Sequence, residues 1–161
     1  VLRTGNRVLA LGTLFFDIVK GFVPVFFARE YFPDLINLAC IFSFLGHLFP
    51  VWLKFKGGKG VATYLGIVSA LSIQLTFLFI FSWIIIFLIF KYASVSSMFA
   101  ALTILIVNFL RDVALSANKS LLLEINIVDS KILFTFFVLI IFTHRKNILN
   151  LKNRKENKIK I

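Results

Sequence analysis

VATYLGIVSALSIQLTFLFIFSWIIIFLIF, residues 61–90, holds thirty consecutive residues without a charged side chain. As one helix it would be about 45 Å long, against a hydrocarbon core of about 30 Å. Two shorter helices fit better, with a turn near Ser72–Gln74. Charge on either side supports the same division. Lys54, Lys56 and Lys59 precede the run, and the end of the chain from His144 to Ile161 carries seven Lys or Arg and one Glu. Basic segments favour the cytoplasmic side of a membrane, so an even number of crossings must separate these two. Runs near 93–110 and 130–143 supply one each, so residues 61–90 must supply two or none.

The rest of the chain agrees with a lipid solvent. Of its 161 residues 60% are hydrophobic, 21 of them Phe. Soluble domains are about 45–50% apolar, and a chain this short cannot bury the excess. Further apolar runs lie at 8–28 and 35–50, the first containing Asp17 and Lys20 on one helix face. Charges inside a span are costly and face protein or a wet cavity, so this pair is expected to be a structural ion pair. Asn108 is expected to make an interhelical hydrogen bond. The fold expected is all-α: a polytopic integral membrane protein with six transmembrane helices, one domain over residues 1–161, and a basic cytoplasmic tail at 144–161. The polar pieces 1–7, 51–60, 91–97 and 144–161 then fall on one cytoplasmic face, and 111–131 forms a loop on the other.

The net charge of +11 follows from basic loops facing anionic lipid. Nucleic acid is not an expected partner, because the basic residues lie in short pieces between apolar runs. Cys40 is the one cysteine, which excludes an internal disulfide or a multi-cysteine metal site. The sequence has no HExxH pair, no Gly-x-Ser-x-Gly elbow, and no His with Asp at i, i+5.

Chemistry concentrates at 54-KFKGGKGVAT-63. Glycines let successive backbone N–H groups face one anion, a lysine adds a point charge, and the loop opens a helix whose N-terminus favours negative charge. Gly60 follows Lys59 where a Walker A loop has Ser or Thr. The alternative reading is a positive-inside loop with flexible glycines. His144 and Asn147, three apart, stand at the end of the last apolar run, and each can meet a phosphate or hydroxyl. Ser94 and Ser97 lie near a lipid–water boundary, where serines commonly cap or pack helices. His47 alone is a weak signal.

The longer stretch 46-GHLFPVWLKFKGGKGVAT-63 resembles the second signature of the bacterial acyl-phosphate:glycerol-3-phosphate acyltransferases. 143-THRKNILNL-151 with Glu156 resembles the third, and VLRTGN the end of the first. The segments 17-DIVKG-21 and 91-KYASVSS-97 match as well. By this resemblance the chain is N-terminally truncated and retains six of seven helices. Asn150 and Arg154 depart from the third signature's usual residues.

The resemblance implies an enzyme of phospholipid synthesis in the bacterial inner membrane, with its active face cytoplasmic. Its partners would be glycerol 3-phosphate, a fatty acyl phosphate and membrane lipid, with no obligate protein partner. Acyl phosphate is already activated, so no cofactor or metal is implied. Lys59, His144 and Asn147 would be catalytic. Arg3 would bind the phosphate of glycerol 3-phosphate. Gly57, Gly58 and Gly60 would hold a substrate phosphate, with hydroxyl contacts from Ser94 and Ser97. The rival function is a transporter or binding protein for a phosphate-bearing solute. Such a protein would place its site near the midplane, often with internal repeats, and no repeat is visible.

Overall fold

The computed structural model describes residues 7–55, 57–117 and 128–159. Helices α1 (Arg7–Tyr31), α2 (Ile36–Leu48), α3 (Val61–Leu71), α4 (Ile73–Phe90), α5 (Ala93–Ala117), α6 (Ser130–Thr143) and α7 (Arg145–Lys152) follow in order. Short 3₁₀ turns at Pro33–Leu35 and Val51–Leu53 flank α2. Arg3 lies outside the described residues.

Four segments are long and apolar enough to cross a membrane: Val8–Tyr31, Pro33–Leu53, Ile73–Phe90 and Ala93–Ala117. A fifth arises if α6 and α7, bent by 55° at their junction, form one span. The protein is therefore a multi-pass membrane protein. The uncharged stretch divides as its length demands: α3 ends at Leu71, and Ser72, with extended backbone (φ −156°, ψ 118°), separates it from α4. At 11 residues, α3 is about 16 Å long, shorter than the hydrocarbon core. Of the six crossings expected from sequence, four or five are long and apolar enough to span among the described residues, and α3 falls well below spanning length.

The chain forms two compact units, Val1–Ile73 and Gln74–Ile161. In the first, α1 packs most extensively on α3. Glycines make the approach possible: a Cβ on Gly21 would meet the Thr63 carbonyl, and one on Gly66 the Ile18 carbonyl. Small residues that let backbones come together are the usual glue of membrane helices. Val25, Cys40, Phe44, Tyr64 and Ile67 are wholly buried. Arg29 Nη1 donates to the Ala70 carbonyl at 2.8 Å, satisfying one of the orphan acceptors at the end of α3. Helix α1 runs on to Tyr31, three residues past the apolar run that ends at residue 28.

In the second unit α5 packs along α6, burying Ala100, Ala101 and Ile104 of one and Leu133, Phe136 and Ile140 of the other. Trp83 Nε1 on α4 donates to Ser97 Oγ on α5 at 3.1 Å. The loop expected from residue 111 starts later, since α5 continues to Ala117. Arg111 and Asp112 therefore sit on a helix, within a polar cluster. Asn108 Nδ2 donates to the Val128 carbonyl (3.0 Å) and to Ser130 Oγ (2.6 Å), and Ser130 Oγ donates to Asp112 Oδ2 at 2.5 Å. The interhelical role expected of Asn108 is the one it has.

Candidate functional site

Each unit carries candidate site residues named from the sequence. In the first, the glycine loop lies over the end of α2. Gly57 N–H donates to the Leu48 carbonyl at 3.1 Å, and a Cβ at Gly57 would run into the His47 and Leu48 carbonyls. A Cβ at Gly58 would meet the His47 ring. Gly60 has φ +81°, and its face lies against the Phe44 ring and Leu48. This conformation and this space admit glycine alone. Lys54 (φ 52°) and Phe55 (φ 60°) are also left-handed, a conformation rarely held by residues of this kind.

The loop is thus built from beneath, by Phe44, His47 and Leu48. Gly57, Gly58 and Lys59 are exposed, whereas Gly60 is buried. The three glycines divide their work. Gly57 spends its N–H on Leu48, so it anchors the loop rather than presenting a donor. Among the described residues the N–H groups of Gly58 and Gly60 have no protein partner. They precede the first turn of α3, which begins at Val61 with no side-chain cap. An uncapped helix start beside glycine amides and a lysine is suited to an oxyanion.

Behind the loop, His47 Nδ1 stands 3.5 Å from Asp17 Oδ1, and Lys20 Nζ binds the same oxygen at 2.5 Å. The His47 side chain is 9% exposed. The Asp17–Lys20 pair expected from spacing is present, with His47 as an added neighbour.

In the second unit the cluster centres on Glu156. Its Oε1 accepts from Asn147 Nδ2 at 2.6 Å and from Ser94 Oγ at 3.1 Å. Ile159 N–H donates to the Lys91 carbonyl at 3.0 Å, and Lys158 Nζ stands 5.7 Å from the centroid of the Tyr92 ring. The basic segment expected as a tail is therefore folded back on the start of α5. Sequence spacing left Glu156 out of the candidate site residues, since only its place after the third signature pointed to it.

His144 joins α6 to α7 and is 1% exposed. His144 is the junction residue of the 55° bend, and Asn147 follows three residues on, in α7. His144 Nδ1 lies 2.8 Å from the Ile140 carbonyl. A carbonyl only accepts, so Nδ1 carries a proton and donates to it. Ser94 and Ser97 are both buried. Ser97 Oγ donates to the Ala93 carbonyl at 2.8 Å while accepting from Trp83, so its hydroxyl braces α4 on α5. Ser94 turns instead to Glu156. Among the described residues no group of three or more His, Cys, Asp or Glu is placed to hold a metal.

Residues 1–154 match the family model described as glycerol-3-phosphate acyltransferase. A glycerol-3-phosphate acyltransferase of Pelagibacter ubique (strain HTCC1062) is 44% identical over 160 residues, covering 99% of this chain and 76% of the relative. One from Wolbachia pipientis subsp. Culex pipiens (strain wPip) is 42% identical over 161 residues, covering 98% and 77%. Among solved structures, the glycerol 3-phosphate form of PlsY (YgiH), an integral membrane glycerol 3-phosphate acyltransferase, is similar with a TM-score of 0.83 at 30% identity. It is matched over 98% of this chain and 74% of its own. The lysophosphatidic acid form of the same enzyme matches with the same TM-score and identity, over 98% and 76%.

Proposed function

Because the chain belongs to the glycerol-3-phosphate acyltransferase family, we propose that it transfers a fatty acyl group from acyl phosphate to the 1-hydroxyl of glycerol 3-phosphate. It is a membrane acyltransferase of phospholipid synthesis, and glycerol 3-phosphate is its acceptor. The donor, the roles of individual residues and the side of the membrane are our reading. The observation that carries the reading is the exposed Gly57–Lys59 segment, fixed from beneath and leading into the start of α3.

In the reaction the 1-hydroxyl oxygen attacks the acyl carbonyl carbon. A new ester C–O bond forms, the C–O bond to phosphate breaks, and phosphate departs with the electron pair. The hydroxyl proton passes to a phosphate oxygen, so no protein nucleophile is required. The protein positions two phosphate-bearing reactants and stabilises the charge that builds on the oxygens. Lys59 and the amides of Gly58 and Gly60 hold a substrate phosphate. Gly57 holds the loop itself. His144 and Asn147 orient glycerol or phosphate oxygens, and Ser94 adds a hydroxyl beside Glu156. Arg3 contributes a further phosphate contact in this reading. The acyl chain lies among lipid-facing helices, and the basic segments favour a reaction at the cytoplasmic face of the bacterial inner membrane.

Lys59→Met and His144→Ala test these assignments. Each is expected to abolish acyl transfer from acyl phosphate while the protein still inserts in the membrane. Near-normal turnover in either variant would remove that residue from the site.

A further inference from the structure

The mechanism above leaves one largely buried titratable side chain unused. His47 lies on the last turn of α2 with its ring between two partners. On one edge Nδ1 faces Asp17 Oδ1 at 3.5 Å, and Asp17 is in turn paired with Lys20. On the other edge the ring supports the loop backbone, so that a Cβ added to Gly58 would come within 2.9 Å of Cε1 and closer still to Nε2. The adjoining residue is tied down independently, through Gly57 N–H on the Leu48 carbonyl. Lys20, Asp17, His47 and Gly58 thus form a continuous row from inside α1 to the glycine loop. Charged groups inside a membrane span are costly and are retained for a role. An ion pair for packing alone would not need a histidine interposed between it and the loop.

We propose that His47 is a positioning residue for the phosphate loop. Asp17 orients the imidazole, and the planar ring sets the height of Gly58, so that the amides following it stay aimed at the substrate phosphate. The inference rests on the phosphate-binding reading of the loop.

The test is steady-state kinetics of the membrane-embedded protein with both substrates varied. His47→Ala, Asp17→Asn and Gly58→Ala are each expected to raise the KM of one phosphate-bearing substrate by about tenfold or more. The KM of the other substrate stays within about twofold, as for lost ground-state binding. In the double variant His47→Ala/Gly58→Ala, removal of the ring opens space for the new methyl. Its defect should stay within about threefold of the worse single variant, the signature of directly coupled residues. If His47→Ala fails to insert, Asp17→Asn and Gly58→Ala carry the same expectation. Unchanged KM values in the folded variants, equal rises for both substrates, or single-variant effects that multiply would overturn the proposal. Lys59→Met measured alongside separates the two levels. If it is inactive while His47→Ala and Asp17→Asn are normal, only the positioning role fails. If it is active, the phosphate-loop reading itself fails.

Discussion

Asn147 Nδ2 donates to Glu156 Oε1 at 2.6 Å, although the two residues lie on opposite sides of the end of α7. Ser94 Oγ reaches the same oxygen at 3.1 Å from the start of α5. One carboxylate thereby collects two polar groups that the chain separates by more than fifty residues. Removing it strands a donor on each side, at a cost of about 1–3 kcal/mol where the groups are shielded from water. Glu156→Ala should therefore lower both acyl transfer, by tenfold or more in the manner of a misplaced positioning group, and thermal stability. Glu156→Gln keeps an acceptor oxygen and should be milder in both. Activity and melting temperature in detergent would check this, and equal behaviour of Ala and Gln would contradict it.

The glycines of this chain are not equivalent. A Cβ at Gly57 would strike two carbonyls at the end of α2, whereas one at Gly46 or Gly12 would meet nothing within 4 Å. Gly57→Ala must displace the loop, so activity should fall by about a hundredfold or more, the scale set by roughly 1 Å of misplacement. Gly46→Ala, inside α2, should leave activity unchanged and raise stability by up to about 1 kcal/mol through helix propensity. Parallel assays with quantified protein would show the contrast.

Gly66 sets the approach of α3 to α1, with the Ile18 carbonyl directly over it. Gly66→Ala must push the helices apart, since backbone cannot give way as a flexible side chain can. The expected cost is about 1–3 kcal/mol from overpacking, read as a lower midpoint of thermal unfolding. An unaltered midpoint would show that this crossing is looser than its geometry indicates.

Asn108 holds the C-terminal half of α5 to the residues that open α6, through the Val128 carbonyl and Ser130 Oγ. Such bonds between membrane helices contribute about 0.6 kcal/mol on average, with a maximum near 1.7. Asn108→Ala should lower stability by about 0.5–2 kcal/mol and leave the KM of both substrates unchanged. A selective KM effect would draw this cluster into the site.

Much of this architecture was legible because it follows from solvent and length. Thirty uncharged residues are too many for one crossing, and the helices break at Ser72 as that count requires. The Asp17–Lys20 pair follows from helical spacing. The resemblance at residues 46–63 identified the loop, but composition could not assign separate jobs to its glycines. That Gly57 spends its N–H on Leu48 depends on how the chain turns after Pro50. Glu156 escaped for a related reason. Its partner Ser94 is 62 residues away, and only the bend at His144 and the return of residues 153–159 bring them together. His47 looked weak because its meaning lies in two neighbours from other elements. Arg111 and Asp112 read as the start of a loop by charge alone, whereas their pairing within the cluster lets α5 continue to Ala117.

The choice of acyl donor separates acyl transfer from acyl phosphate from every other acylation of glycerol 3-phosphate. Purified protein in lipid would be supplied with glycerol 3-phosphate and either a fatty acyl phosphate or the matching acyl-CoA. The account predicts 1-acylglycerol 3-phosphate and one equivalent of inorganic phosphate from acyl phosphate, and both products lost in Lys59→Met. Transfer from acyl-CoA alone, or turnover that survives Lys59→Met, would contradict it.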